Sequence, residues 1–208
     1  MFTECDSIRR SPYQNFWFDD HKRWSLNVTV APTEEPVSVS EVMEHTRIDD
    51  PEEAPWLQSA ISAARQLCET FTKRCFCSTT LRLNLDEFPW FDFVLPRPNL
   101  VSVTSIKYLD TSGVQQTLSA SAYSADIRST PGRIVAVYNT DWPAYRNFTN
   151  SIEIVYVAGY GAATAVPESV KNAIKFTVAN WYANREDQGM LPPVAKSLLA
   201  TECWGFVP

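Results

Sequence analysis

The stretch of sequence that decides the fold is APWLQSAISAARQLCETFTK, residues 54–73. Its apolar residues recur at spacings of three and four, as one face of an α-helix requires. These residues are Leu57, Ala60, Ile61, Ala64, Leu67, Cys68 and Phe71. Pro55 suits the first turn, where a helix does not need the missing N–H. The pattern predicts an amphipathic helix whose apolar face needs a partner elsewhere in the chain.

A second helix of this kind is predicted towards the C-terminus. Pro167 and Glu168 suit its start, because proline fits the first turn and an acid stabilises the positive end of the helix dipole. Its apolar face contains Val170, Ile174, Thr177, Val178, Trp181 and Tyr182. A short last helix is predicted from Pro193 to about Ala200, and a capping box of Ser38 and Glu41 predicts a short helix ahead of residue 54.

Between residues 78 and 156 the apolar period changes from helical to two, which predicts β-strands. The clearest alternating residues are Leu81, Leu83, Leu85, Ile152, Ile154 and Tyr156. A shorter strand is predicted around Val28. In residues 101–108 apolar side chains fall on both parities, so this strand carries a bulge or is buried on both faces. Several short strands separated by turn residues are typical of a small antiparallel sheet or sandwich.

The order of these elements predicts an α+β fold. Helices from the N- and C-terminal parts of the chain form one bundle, and a small antiparallel β-sheet or sandwich is inserted between them. The expected boundaries are an N-terminal extension at 1–30, a helical bundle at 31–77 and 162–201, an inserted β domain at 78–161 and a C-terminal tail at 202–208.

Composition narrows the classes of function. The chain has 208 residues, a formal net charge of −6 and 45% hydrophobic residues, which fits a folded protein that does not hold nucleic acid through a basic surface. No stretch approaches the apolar length of a membrane span, and the N-terminus carries no recognisable targeting signal, so we expect a soluble protein made in the cytoplasm. The five cysteines are an odd number, which favours reduced thiols.

Motifs for enzymatic chemistry are missing from the sequence. It contains no Gly-x-Ser-x-Gly elbow, no Walker A loop, no Gly-x-Gly-x-x-Gly and no His-Glu-x-x-His. The two histidines, His21 and His45, are expected on the surface, and tetrahedral zinc would need four converging ligands. We therefore expect no cofactor, no metal and no catalytic residue.

Two other functions stay open at this stage. The first is a β-domain module that binds carbohydrate or another surface through Trp90, Trp142 and Tyr145, whose rings offer apolar platforms. The second, more remote, is a hydrolase that uses Asp86 and Asp141, although nothing in the sequence brings these two acids together.

A series of short motifs resembles the head–tail connector (adaptor) proteins of tailed bacteriophages. No single motif is specific, and the resemblance depends on their order over about residues 30–202. The series is Pro36-Val37-Ser38-Val39-Ser40-Glu41, Ala63-Ala64-Arg65, Leu95-Pro96-Arg97-Pro98, Pro131-Gly132-Arg133-Ile134, Trp142-Pro143, Val157-Ala158-Gly159-Tyr160-Gly161, Trp181-Tyr182-Ala183-Asn184-Arg185-Glu186 and Leu191-Pro192.

The resemblance implies a structural virion protein with no turnover. Such adaptors form a ring, commonly of twelve copies, beneath the portal protein, and they provide the docking surface for a stopper or tail-completion protein. The genome would pass through the lumen without specific binding, and an acidic ring would let it slide. The protein would be assembled in the host cytoplasm, would act in the neck of the virion and would contact no membrane.

Particular residues can be assigned to these contacts as expectations. In relatives the C-terminal segment reaches into the portal, so Trp204, Phe206 and Val207 are candidate portal anchors. The alternative is that this end packs on its own chain or frays. Candidate salt-linked contacts between neighbouring copies in the ring are Arg65, Glu69, Arg185 and Glu186.

Overall fold

The structure is a computed structural model that describes residues 24–89 and 92–203. The described residues form two compact units. The helical unit contains residues 33–77 and 160–203, and the β unit contains residues 24–32 together with 78–159, apart from positions 90 and 91.

Four α-helices make up the described part of the helical unit. They are α1 (Val39–Thr46), α2 (Ala54–Thr72), α3 (Glu168–Ala183) and α4 (Pro193–Leu199). The predicted capping box begins α1: the backbone N–H of Glu41 donates to Ser38 Oγ at 3.2 Å, and that of Ser38 donates to Glu41 Oε2 at 2.7 Å. The predicted helices are confirmed, each with ends within a few residues of those expected.

The core of the helical unit forms where the apolar faces of α2 and α3 meet. Leu57, Ile61 and Ala64 of α2 are fully buried, as are Ile174 and Val178 of α3. Buried residues of the other two helices complete this core, including Val42, Ala195 and Leu199. The bundle therefore joins helices from both parts of the chain, as the fold class predicted.

The β unit contains eight strands among the described residues. They are β1 (Trp24–Val30), β2 (Thr79–Leu85), β3 (Asp92–Val94), β4 (Leu100–Leu109), β5 (Gln115–Thr117), β6 (Tyr123–Asp126), β7 (Arg133–Ala136) and β8 (Ile152–Ala158). All pairings are antiparallel. One sheet has the order β1-β2-β8-β4-β5, and a second has the order β3-β7-β6.

The two clearest alternating segments of the sequence lie side by side at the centre of the five-stranded sheet. Leu81 is opposite Tyr156, and Leu83 is opposite Ile154. These side chains are at most 3% exposed, while Arg82 between them is exposed. Strands β2 and β8 therefore share one buried face, as a period of two requires.

Strand β4 contains the predicted irregularity. Its register against β8 shifts twice, between Leu100 and Ser102 and again between Val103 and Ser105. Since several of its residues are exposed, the bulge explains the mixed parity and burial on both faces does not. Strand β1 confirms the strand expected around Val28 and pairs with β2, although its residues were assigned to the N-terminal extension.

Three strands of the smaller sheet are linked by the guanidinium of Arg133. On β7, Arg133 Nε lies 3.1 Å from Asp126 Oδ2 at the end of β6, and Arg133 Nη1 lies 3.2 Å from Asp92 Oδ2 on β3. Asp126 also accepts hydrogen bonds from the hydroxyl and the backbone N–H of Ser129. These bonds, led by the one from the Ser129 hydroxyl, lower the pKa of Asp126 to about 2.

This depressed pKa predicts how the stability of the β unit depends on pH. A carboxylate whose pKa falls on folding stabilises the fold above its unfolded pKa of roughly 3.9, and this contribution is lost as pH falls through the folded value. We therefore expect Asp126→Asn to lower the urea midpoint at pH 6, with a difference from wild type that shrinks towards pH 2.5. Ser129→Ala, which removes the strongest donor, should give the same trend more weakly. A constant difference across this range would contradict the assignment.

Candidate assembly surfaces

Arg65 lies inside the helical unit between two carboxylates. Its Nε is 2.7 Å from Glu35 Oε2 and its Nη1 is 2.8 Å from Glu69 Oε2. The Arg65 side chain is only 7% exposed, against 18% for Glu35 and 12% for Glu69. Desolvation acts to lower the pKa of Arg65, but the hydrogen bond to Glu35 and the charge of Glu69 outweigh it, so the pKa is raised.

The same carboxylates organise the chain around the end of α2. Glu69 Oε1 accepts a hydrogen bond of 2.9 Å from the backbone N–H of Phe76, just before the chain leaves the helical unit. Next to Glu35, Glu34 Oε1 accepts one of 3.0 Å from the backbone N–H of Ala163. These contacts fix the segments that lead into and out of the inserted strands.

The four predicted ring-contact residues occupy two separate places. Arg65 and Glu69 lie together in this internal network, and no sequence pattern indicated that Glu35, thirty positions before Arg65, would be a partner of Arg65. Arg185 and Glu186 lie on a single 3-10 turn, Arg185–Asp187, that follows α3, and both are exposed. A role in ring contacts stays a prediction for all four.

Glu202 is held tightly at the point where the C-terminal tail begins. Its carboxylate accepts hydrogen bonds from the Tyr160 hydroxyl at 2.6 Å and from the Ser169 hydroxyl at 3.3 Å. Its backbone oxygen accepts one from Arg74 Nε. Burial, together with the hydrogen bond to Glu202, raises the pKa of Tyr160, so its hydroxyl remains a donor at neutral pH. The predicted portal anchors Trp204, Phe206 and Val207 lie outside the described residues.

The expectation of reduced cysteines is correct at three positions and wrong at one. Cys68, Cys75 and Cys77 are buried thiols outside any disulfide, and burial raises the pKa of Cys68 and of Cys77 to about 12. Cys203, however, is disulfide-bonded. An odd number of cysteines shows only that at least one cysteine has no disulfide partner within the chain, so it could not exclude one disulfide.

A groove of about 560 Å³ runs along the outer side of α2. One end is formed by Trp56, whose ring meets Tyr182 edge-on at 5.6 Å. The floor includes Trp181, whose indole N–H donates to the backbone oxygen of Met190 at 2.9 Å and so holds the segment after α3 in place. The remaining lining residues are Ser59, Ala60, Ala63, Gln66, Leu67, Thr70, Gln188 and Gly189.

The aromatic residues proposed for carbohydrate binding pack on other rings of the β unit. Trp142 lies flat on Phe88, with ring centroids 5.0 Å apart and an angle of 5°, and its indole N–H donates to the backbone oxygen of Pro89. Tyr145 meets Phe88 edge-on at 5.2 Å. A sugar platform needs an open ring face, so this alternative is not favoured. Trp90 lies outside the described residues.

One of the two acids considered for hydrolysis, Asp86, holds a loop of the β unit in place. Asp86 Oδ1 accepts a hydrogen bond of 2.7 Å from the backbone N–H of Asn150, which is a loop-fixing contact, and Asp141 is exposed. His45 is exposed against Phe176, while His21 lies outside the described residues. Over residues 24–89 and 92–203 no cluster of side chains could hold a metal ion, and no helix is long and apolar enough to cross a membrane.

The buried pairing of Arg65 predicts a large loss of stability when its charge is removed. Arg65→Met keeps the aliphatic stem but leaves Glu35 and Glu69 side by side without their cation. We expect the free energy of unfolding to fall by roughly 3 kcal/mol, the scale for breaking a buried ion pair from one side. Arg185→Met, at an exposed cation, should change it by less than about 0.5 kcal/mol. Equal effects of the two variants in chemical denaturation would contradict the structural role of Arg65.

Comparisons with solved structures find this fold in the necks of virus-like particles. A chain in the neck of an empty gene transfer agent particle with C6 symmetry superposes with a TM-score of 0.74 at 24% identity. A chain of the native gene transfer agent virion gives 0.69 at 21%, and one in the native neck with C12 symmetry gives 0.65 at 25%. Each match covers 88% of this chain and 97% of the other. No curated protein matches the sequence.

A match between the amino-acid sequence and a family model identifies the family of this chain. The model of the head completion protein family matches residues 35–190, well over half of the 208-residue chain. The matched range begins before α1 and ends after α3, and it includes strands β2 to β8. It thus takes in both the packed helices and the inserted strands whose order suggested the phage connectors. The chain therefore belongs to the head completion protein family, and it is a structural head–tail adaptor.

Proposed function

We propose that the protein forms a ring of twelve copies in the neck of a tailed-phage particle, between the portal protein and a stopper or tail-completion protein. The observation that carries this proposal is the match to a neck chain of a native gene transfer agent particle with C12 symmetry, at 25% identity over 88% of this chain. The ring converts the lower surface of the portal into a docking surface for the next component, and this task needs shape rather than chemistry.

The C-terminal tail is the proposed portal contact. Glu202 is clamped by Tyr160, Ser169 and Arg74, so the tail starts from a fixed point on the helical unit. Beyond it the sequence reads Trp204-Gly205-Phe206-Val207-Pro208, and large apolar side chains at a chain end are effective anchors in a partner's groove.

The charge of the chain suits a ring around DNA that has to move. With a formal net charge of −6 and a sequence pI near 5.0, the protein repels phosphates on average. A lumen of this sign would let the genome slide without binding it. A ring structure with a strongly basic lumen would contradict this part of the proposal.

The proposal includes neither turnover nor cofactor. The protein would be assembled in the host cytoplasm and would remain in the virion as a structural part of the neck. A structural role is supported by four acidic residues whose carboxylates accept hydrogen bonds within the protomer. These residues are Glu35, Glu69, Asp126 and Glu202.

Replacing the three tail anchors tests the portal contact. The triple variant Trp204→Ala, Phe206→Ala, Val207→Ala should fold normally but bind portal about tenfold more weakly or worse, because interface aromatics carry much of the binding free energy. The measurement is pull-down and native mass spectrometry with the portal protein of the same phage.

Tyr138→Ala is the matched control, since Tyr138 is an aromatic residue that is 96% exposed in the β unit. It should bind portal as the wild type does. If the triple variant also binds portal normally, the tail is not the portal contact. If the wild type never associates with portal in any ring, the adaptor ring itself is refuted.

A further inference from the structure

The outer face of α2 is unusual for a helix that borders on water. Six of its residues are exposed, and none of them is charged: Pro55, Gln58, Ser59, Ala63, Gln66 and Thr70. The only charged residues of α2 are Arg65 and Glu69, which point into the internal network. A solvated helix face normally carries charged side chains, whereas the core of a subunit interface is depleted of them.

The groove on this face is formed before any partner binds. The Trp56–Tyr182 contact holds one end of the groove, the Trp181–Met190 hydrogen bond holds its floor, and the small side chain of Ala63 leaves room in the lining. The exposed turn that contains Arg185 and Glu186 ends at Asp187 and directly precedes the lining residues Gln188 and Gly189. The groove is thus continuous with the site already predicted to contact a neighbouring copy.

The same unit exposes an aromatic side chain elsewhere on its surface. Phe176 on α3 is 37% exposed and contacts the edge of the exposed His45 ring on α1, with centroids 5.1 Å apart. Phe176 is five residues before Trp181, and at 3.6 residues per turn the two side chains leave α3 in directions about 140° apart. Phe176 and the groove therefore lie on different sides of the helical unit.

We infer that Phe176 of one copy inserts into the α2 groove of the next copy and that this contact closes the ring. The inference rests on the proposed function. A cyclic ring needs a heterologous contact, in which two different surfaces of the same protomer meet. With twelve copies the two neighbours lie in directions about 150° apart, close to the angle between Phe176 and the groove floor. A polar rim around an uncharged centre then follows, with Arg185 and Glu186 at the edge.

Cysteine cross-linking tests the contact directly. Chains with Ala63→Cys and chains with Phe176→Cys are mixed, assembled with portal and treated with a short bismaleimide. We expect covalent dimers of twice the 23.5 kDa chain mass only in the mixture. The wild-type chain gives the background, which should be low because Cys68, Cys75 and Cys77 are buried and the high pKa of Cys68 and Cys77 keeps these thiols protonated.

Blocking variants test whether the two surfaces are complementary. Ala63→Glu fills the groove and Phe176→Lys removes the aromatic side chain; both positions are exposed, so folding should persist, and circular dichroism checks this. Each variant alone should reduce ring yield about tenfold. In an equimolar mixture the intact Phe176 of one variant meets the intact groove of the other, so mixed dimers should form. Ring yield should stay low, because every second contact in a closed ring of the two variants is blocked on both sides. Tyr138→Lys, at an exposed position in the β unit, should leave ring yield unchanged.

The outcomes separate the two proposals. Rings that form normally with both blocking variants, or that give no cross-link between positions 63 and 176, overturn the contact while the adaptor ring stands. If the wild-type chain forms no ring with portal, the proposed function and this contact fail together.

Discussion

The backbone N–H of Tyr160 donates to the carbonyl oxygen of Phe76 at 2.8 Å, and this bond joins the two chain positions between which the β unit is inserted. Helices α2 and α3 can pack as one core only if the chain returns to the point where it left. Glu69 fixes the segment that leaves the helical unit through the N–H of Phe76, and Glu34 fixes the returning segment through the N–H of Ala163. The helical core thus depends on closing a long loop, whose entropic cost grows only slowly with its length.

The two charged residues of α2, Arg65 and Glu69, lie inside the protomer, which leaves the outer face of this helix without charge. Arg65 and Glu69 satisfy each other and Glu35 within the protomer, so the helix needs no solvated ion pair on its outer face. That face can then be small and uncharged, which suits contact with another subunit better than contact with water. Under the proposed ring contact, opposite sides of one helix would serve the stability of the protomer and its assembly.

Local patterns predicted the parts of the fold that local physics decides. Helical spacing around Leu57 and Ile174, alternation around Leu83, and the Ser38–Glu41 capping box each reflect neighbours within a few residues. Strands β5 and β6 were not predicted because they are short and lack apolar alternation. Only their pairing with β4 and β7 defines them as strands. Three other features could not be predicted because each joins positions far apart in the sequence. They are the pairing of Arg65 with Glu35, the stacking of Trp142 on Phe88, and the groove. Family resemblance supplied the function that no pattern of residues could.

Tyr160 links the insertion to the tail. Its backbone closes the loop at Phe76, and its hydroxyl holds Glu202, where the tail begins. Because burial and Glu202 raise the pKa of Tyr160, the hydroxyl stays protonated and the hydrogen bond persists across the neutral range. An adaptor uses different segments of one small protein for its contacts, and each segment can bind in a defined position only if the point where it leaves the helical unit is fixed. One half-buried residue, Tyr160, fixes both the point where the chain returns from the β unit and the start of the tail, through two hydrogen bonds.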